Sequence, residues 1–187
     1  MKVYDFDKTI YSHDSSVDFY IFNLKYNKIL LKYLPSQTWA FILYKLKIIS
    51  KSQMKQTFYR YFKEIHHMDR QVSLFWKHHY EYIRPFYLKQ RSSDDIVISA
   101  APTFLLEPLC QIWGCTLIAS IVDPDTGKHG MNCYGEEKVK RFRELYPDET
   151  IEEFYSDSLS DSPMAIIAEK AFLVSDTSIN PWPNTDK

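Results

Sequence analysis

The feature that most restricts the fold is a change of periodicity along the chain. Strand-like runs rich in β-branched and aromatic residues occur at KVYDF near the start, then at DIVISA (95–100), TLIASIV (116–122), EEFYSD (152–157) and KAFLVS (170–175). Helical stretches separate the later runs: TFLLEPLCQIWG ending at Gly114, GEEKVKRFRELYP ending before Pro147, and SDSPMAIIAEK starting near Asp161. Strand alternating with helix demands crossover connections and predicts a mainly parallel sheet. The interval 12–84 breaks this alternation, because it is helical in period throughout. Within it Val72, Phe75, Trp76, His79, Tyr80 and Ile83 recur at helical spacing and mark one face for burial. Pro35 and Pro85 punctuate it, and Pro85 is expected in the first turn of the helix that returns the chain to the sheet. The expected architecture is an α/β core made of 1–12 and 85–187, with an all-helical cap, 13–84, inserted after the first strand. The segment DPDTGKHG (123–130) reads as a hairpin turn.

Charge divides the chain at the same place. Residues 19–63 carry nine Lys or Arg and no Asp or Glu, whereas the remainder holds 14 basic and 24 acidic residues. The net charge of -1 therefore conceals two regions suited to different partners. Among the nine cations stand Phe19, Tyr20, Phe22, Tyr26, Tyr33, Trp39, Phe41, Tyr44, Phe58, Tyr59, Tyr61 and Phe62. Most of these are assigned to the core and solvated faces of a small bundle. The sharper alternative gives one face a weak, salt-sensitive contact with a membrane surface or a bulky anionic substrate, since each Lys or Arg near an anionic leaflet contributes about 1 kcal/mol. Nucleic acid is a poor partner for a protein whose other region is acidic and which carries no known nucleic-acid motif.

At 45% hydrophobic residues with only 4 Gly, the sequence is core-forming and poor in flexible linkers. Its most apolar segment, WAFILYKLKII, is interrupted by Lys45 and Lys47 and falls short of the roughly 18 apolar residues of a membrane span. The opening MKVYDFD lacks the charged leader and apolar run of a secretory signal. Cys110, Cys115 and Cys133 cannot all pair and show no C-x-x-C spacing, so reduced thiols and a cytoplasmic location are expected. The adjacent pairs His66-His67 and His78-His79 point apart on a helix and are assigned surface or structural roles.

In open α/β sheets the ligand crevice lies beyond the carboxyl ends of the strands, and the chemically suggestive residues fall at such ends. Asp5 and Asp7 finish or follow the first strand, Ser99 ends the second, Asp157 ends the fourth, and Asp161 opens the next helix. Lys138 sits in the first turn of a helix, where a cation opposes the dipole unless an anion such as phosphate binds there. Each residue alone has an ordinary explanation. Asp-x-Asp can be a turn, Ser99 a structural hydroxyl, and Lys138 part of a solvated face with Lys140, Arg141 and Arg143. Asp161 can be a helix cap, and Asp14 an acid favouring the start of the first cap helix.

In order along the chain, DFDKT (5–9), ISA (98–100), NCYGEEK (132–138) and DSLSD (157–161) resemble the four motifs of the haloacid-dehalogenase-like (HAD) phosphohydrolase superfamily. The insertion resembles the helical C1 cap of the phosphoserine-phosphatase-like branch, and the likeness spans residues 3 to about 175. The resemblance implies a Rossmann-like parallel-sheet core and a Mg²⁺-dependent phosphatase acting on a phosphate monoester, either a small metabolite or a lipid-linked phosphate. It implies Asp5 as the nucleophile that becomes an aspartyl-phosphate, and Asp7 as the general acid and base. The Asp5 and Asp157 side chains and the Asp7 backbone carbonyl would ligate Mg²⁺, with Asp161 holding a metal-bound water or orienting Lys138. Ser99 and Lys138 would grip the phosphoryl oxygens, and Thr9 would orient Asp7 beside them. Phosphoserine phosphatases place a Glu where this chain has Asp14, a candidate substrate contact, and Ser-Gly-Gly where it has SAAP; both departures count against phosphoserine. Two other readings stay open: a catalytically idle binding or scaffold module, and a phosphotransferase using an acceptor other than water.

Overall fold

A computed structural model describes residues 1–183; residues 184–187, the end of the expected core segment, lie outside the described residues. Its elements are β1 (Lys2–Tyr4), α1 (Ser15–Tyr26), α2 (Leu34–Lys45), α3 (Lys51–Phe58), α4 (Met68–His79), α5 (Pro85–Gln90), β2 (Ile96–Pro102), α6 (Thr103–Trp113), β3 (Thr116–Ser120), α7 (Glu136–Leu145), β4 (Ile151–Ser156), α8 (Ser162–Ile167), β5 (Ala168–Val174) and β6 (Ile179–Pro181). One sheet has the order β3-β2-β1-β4-β5-β6. All its pairings are parallel except β5 with β6, the strand that periodicity did not reveal. At three residues, with every side chain exposed, β6 is too short and too solvated to leave an alternating pattern.

The sheet is a mixed core because successive residues of a strand face opposite sides. Val3, Ile96, Ile98 and Phe154 enter one apolar layer with Phe142 and Met164, while Tyr4, Val97 and Tyr155 enter the other with the inserted helices. Register places Tyr4 opposite Tyr155 and Tyr155 opposite Phe172, and the three rings stack across β1, β4 and β5 with centroids 4.9 Å apart at each step. Burial on both faces explains why these runs read as continuous apolar strands. The central position of β1 follows from the order: the chain adds β2 and β3 on one side, then crosses to add β4 and β5 on the other.

Between β1 and β2 the chain is helical, as its period predicts, with 3-10 segments at Lys28–Tyr33, Tyr59–Glu64 and Tyr80–Tyr82. Ser50 starts α3 with a capping box to Gln53, and Pro85 occupies the first turn of α5. Phe19, Phe62, Phe75 and Trp76 fill the interior, with Phe75 edge-on to Phe19 at 5.4 Å and to Trp76 at 4.7 Å. Tyr80 departs from the expected buried face. The α-helix ends at His79 and tightens to 3-10, which rotates Tyr80 outward to 39% exposure, while Ile83 is buried in the following extended segment. Of the cap aromatics, Tyr26, Trp39 and Phe41 are exposed. The segment 123–130 is a hairpin turn, closed by the Val122–His129 bridge, and it docks on the helices. Gln56 binds the Gly127 carbonyl and the His129 amide, and a Cβ at Gly127, which also has φ +68°, would run into the Tyr59 carbonyl.

Phe75→Ala should cost about 3–5 kcal/mol of unfolding free energy, because this fully buried ring leaves a void among neighbours that collapse only partly; urea denaturation measures it. His129 supplies a pH test. Burial, and then the Lys55 ammonium, hold its pKa below the ordinary histidine value, and its Nε2 has no hydrogen-bond partner among the described residues. The unfolded chain therefore takes up a proton that the folded chain refuses as pH falls below about 6.5, and stability is lost there. Wild type should lose stability relative to His129→Gln between about pH 7.5 and 5.5; a constant difference between the two midpoints contradicts this.

Candidate active site

Because β2, β1 and β4 are neighbours, the loops leaving their carboxyl ends meet in one place. Asp5 follows β1 directly, its amide still bonded to the Tyr155 carbonyl at 2.8 Å. Lys8 then adopts the left-handed conformation, φ +59°, and the turn closes with the Ile10 and Tyr11 amides on the Phe6 carbonyl. Asp5 and Asp7 thereby face a common crevice of about 220 Å³, whose wall also includes Ser99, Lys138, Asp157 and Asp161. Six residues far apart in sequence are thus brought together.

Lys138 lies at the centre. Its ammonium is 1% exposed and donates to Asp5 Oδ1 and to Asp161 Oδ2, each at 2.6 Å. The Ser156 hydroxyl adds a bond to the same Asp161 oxygen at 2.8 Å. Asp161 stands at the N-cap position of α8, yet its side chain makes no cap bond and is turned to Lys138 instead. Ser99 does not end its strand as expected: β2 runs on to Pro102 with a register shift between Ser99 and Pro102, and the buried Ser99 hydroxyl accepts from the Ala101 amide at 3.1 Å. Asp14 caps α1 by accepting from the Val17 amide at 3.0 Å while still lining the crevice. The sequence expectation for Thr9 needs correction. Its hydroxyl is directed at Asp5 Oδ2, 3.5 Å away, not at Asp7, and it is fully buried rather than on the crevice wall. What holds Asp7 is the Ser15 backbone N–H, which donates to Oδ1 at 2.8 Å.

Electrostatics here are unbalanced. Asp5, Asp7, Asp14, Asp157 and Asp161 line the crevice with Lys8, Lys51, Lys55 and Lys138, of which Lys138 is the buried one; its ammonium bonds Asp5 and Asp161, while Asp157 accepts from its own backbone N–H and feels the Lys8 charge. Burial raises the pKa of Asp5 to about 7 against the pull of Lys138, with Asp161 repulsion adding to the rise. Burial and then the charge of Asp14 raise Asp7 to about 8. Asp157 is also raised, by burial first. For Lys138, burial opposes the charge, but Asp5 and Asp161 outweigh it and the pKa lies above the ordinary lysine range. The Asp5 and Asp157 carboxylates on one crevice wall offer oxygen donors of the kind a hard divalent cation takes. Among the described residues no group of three or more His, Cys, Asp or Glu side chains is placed to hold a metal ion.

Sequence reasoning missed four participants. Lys51 and Lys55, one turn apart on α3, leave the solvated cationic face and enter the crevice; Lys51 lies 3.6 Å from the Tyr134 ring centre, and Lys55 donates to the Ala100 carbonyl at 2.5 Å. Burial, then Lys51, pushes the Lys55 pKa down to about 8. Tyr134 stands next to Gly135 in a motif already noticed, but two lysines among nine carry no mark that separates them. Ser15 acts through its backbone, which any residue type possesses.

The sequence pattern of the family described as haloacid dehalogenase-like hydrolase matches residues 3–165, and the chain belongs to that family. Comparison with curated proteins finds no match. Among solved structures, the chain is similar to a protein of unknown function from Bordetella pertussis Tohama I, with TM-score 0.72 and 15% identity over 91% of this chain and 87% of that one. It is similar to a phosphoserine phosphohydrolase-like protein from Francisella tularensis subsp. tularensis SCHU S4, with TM-score 0.58 and 14% identity over 91% and 86% of the two chains. A phosphoserine phosphatase in apo form gives TM-score 0.51 and 14% identity over 90% and 82%. At these identities the likeness is one of fold alone.

Lys138→Met should destabilise the protein by about 3–5 kcal/mol, the cost of leaving buried carboxylates without their cation. Equilibrium unfolding in urea reads this directly, and a loss below about 1 kcal/mol would show that the pair is nearly neutral in the fold.

Proposed function

We propose that this hydrolase is a phosphatase that cleaves phosphate monoesters through a phosphoryl group carried on Asp5. The observation that supports the reading best is the pairing of Asp5 with the buried Lys138 ammonium while Asp7, two residues on, faces the same crevice. In this reading 1–12 with 85–187 form the catalytic core and 13–84 the cap that covers it.

The Asp5 carboxylate oxygen attacks phosphorus and the bond to the ester oxygen breaks. Asp7 donates its proton to the departing oxygen, a role suited to a carboxyl group whose pKa is raised to about 8. Asp7, now ionised, takes a proton from water as that water attacks phosphorus; the bond to Asp5 breaks and inorganic phosphate leaves with Asp5 regenerated. Lys138 and the Ser99 hydroxyl hold phosphoryl oxygens, and Asp161 positions Lys138 through the 2.6 Å contact. The Asp5 and Asp157 side chains with the Asp7 backbone carbonyl would hold Mg²⁺, which neutralises the charge of carboxylates and phosphate that otherwise repel. Lys51 and Lys55 add positive charge at the cap side of the entrance, drawing an anionic ester inward.

Release of inorganic phosphate from p-nitrophenyl phosphate should require Mg²⁺, disappear in Asp5→Asn and fall about 10²–10⁴-fold in Asp7→Asn. Transfer of the phosphoryl group to an added alcohol without phosphate release would favour a phosphotransferase. No turnover across a broad panel of phosphate esters, with the variants indistinguishable from wild type, would favour an idle binding module.

A further inference from the structure

Beside the phosphate crevice lies a second cavity of about 390 Å³, within the helical insertion. That volume is within the range of small-molecule sites, about 300–1,000 Å³. Its walls come from one face of α2, where Leu34, Gln37, Thr38 and Phe41 follow the i, i+3, i+4, i+7 spacing, and from α1 and α3 opposite. Asp7, Asp14 and Lys55 line both cavities, so the two spaces meet where the carboxylate proposed as general acid stands.

The packing of α2 is unusual for so apolar a helix. Of its residues it buries Gln37 and Ala40, whereas Leu34 is 39% and Phe41 50% exposed. The side chains that would ordinarily close such a bundle instead border open space, facing Val17, Tyr20, Met54 and Phe58. Apolar walls at this distance from one another lose contact energy and favour an apolar guest.

We propose that this cavity receives the apolar tail of the substrate, so that the natural ester is an amphiphile: a phosphate monoester head in the crevice and an aliphatic or aryl tail between α1, α2 and α3. This rests on the phosphatase reading and names its substrate class. Lys55, at the junction and tied to the Ala100 carbonyl, fixes α3 over the end of β2 and keeps the two spaces in line. The chemistry is shared by a free amphiphilic metabolite and by a single-chain lipid phosphate presented at a membrane.

The test is binding, independent of turnover. Methyl-, butyl- and octylphosphonate are titrated by calorimetry in the presence of Mg²⁺. Affinity should rise roughly fourfold for each methylene that enters the cavity, the factor corresponding to ~0.8 kcal/mol per buried CH₂, and then level off. Thr38→Trp and Val17→Trp, from opposite walls, should bring the octyl to methyl affinity ratio toward one while each keeps a cooperative melting transition. An affinity independent of chain length, or a ratio unaffected by both folded variants, overturns the inference and leaves the phosphatase reading standing. Chain-length-dependent binding without hydrolysis of any ester supports the cavity and removes the phosphatase reading. With turnover established, phosphate release from octyl phosphate in solution assigns the free amphiphile as the source, and release only from lysophosphatidate in phosphatidylcholine vesicles assigns the membrane.

Discussion

The Lys138 ammonium, buried between Asp5 and Asp161, is the interaction on which the rest of the site depends. It joins three segments that are remote in sequence: the end of β1, the first turn of α7 and the entrance to α8. A cation taken out of water is costly unless its partners are close and well aimed, and here two carboxylates at 2.6 Å, one of them further bonded to Ser156, meet that condition. The contact also answers the objection that a lysine should not lie in the first turn of a helix. The carboxylates supply the negative charge that the dipole favours at that end, and they do so before any phosphate arrives.

The crevice holds five carboxylates, Asp5, Asp7, Asp14, Asp157 and Asp161, and Lys138 bonds two of them. Burial is the first cause of the raised pKa values at Asp5, Asp7 and Asp157, and repulsion among the carboxylates adds to it. A site in this condition attracts positive charge, and three further sources lie within the chain itself, Lys8 in the turn after β1 and Lys51 and Lys55 on α3. The basic character of 19–63 therefore has a purpose inside the protein as well as on its surface. Most of its cations are solvated, but two complete the charge balance across the boundary between helices and sheet. The docking of the 123–130 hairpin on Gln56 and Tyr59, with Asn132 beyond it donating to the Ser52 hydroxyl, holds α3 where those lysines must be.

No helix among the described residues is long and apolar enough to cross a membrane. The exposed apolar residues of α2 lie on two sides of one short helix, and the two sides do different things. One borders the cavity; the other, with Trp39 and Ile42, faces solvent. Composition alone could not separate these faces, since both consist of the same residue types in the same twelve-residue helix.

Much of the frame was legible because it is written in periodicity. Alternating strands and helices after residue 95, the helical interval before it, and the order of the motifs foretold a mainly parallel sheet and the residues at its carboxyl ends. The strand β6 escaped because three solvated residues leave no pattern, and Tyr80 was misplaced because a change from α to 3-10 geometry rotates a side chain without altering composition. By itself the sequence determined most of the strands and helices, and that Asp5, Lys138 and Asp157 sit at or beside element ends, since these follow from local backbone preference and burial of apolar faces; Ser99, expected at the end of its strand, lies within β2, which runs on to Pro102. Only the tertiary structure decided that Thr9 turns to Asp5, that Ser15 holds Asp7, that Lys51 and Lys55 enter the crevice and that an apolar cavity opens beside it. Those facts depend on the direction of side chains across contacts between distant segments, and no local spacing encodes a distance between two helices.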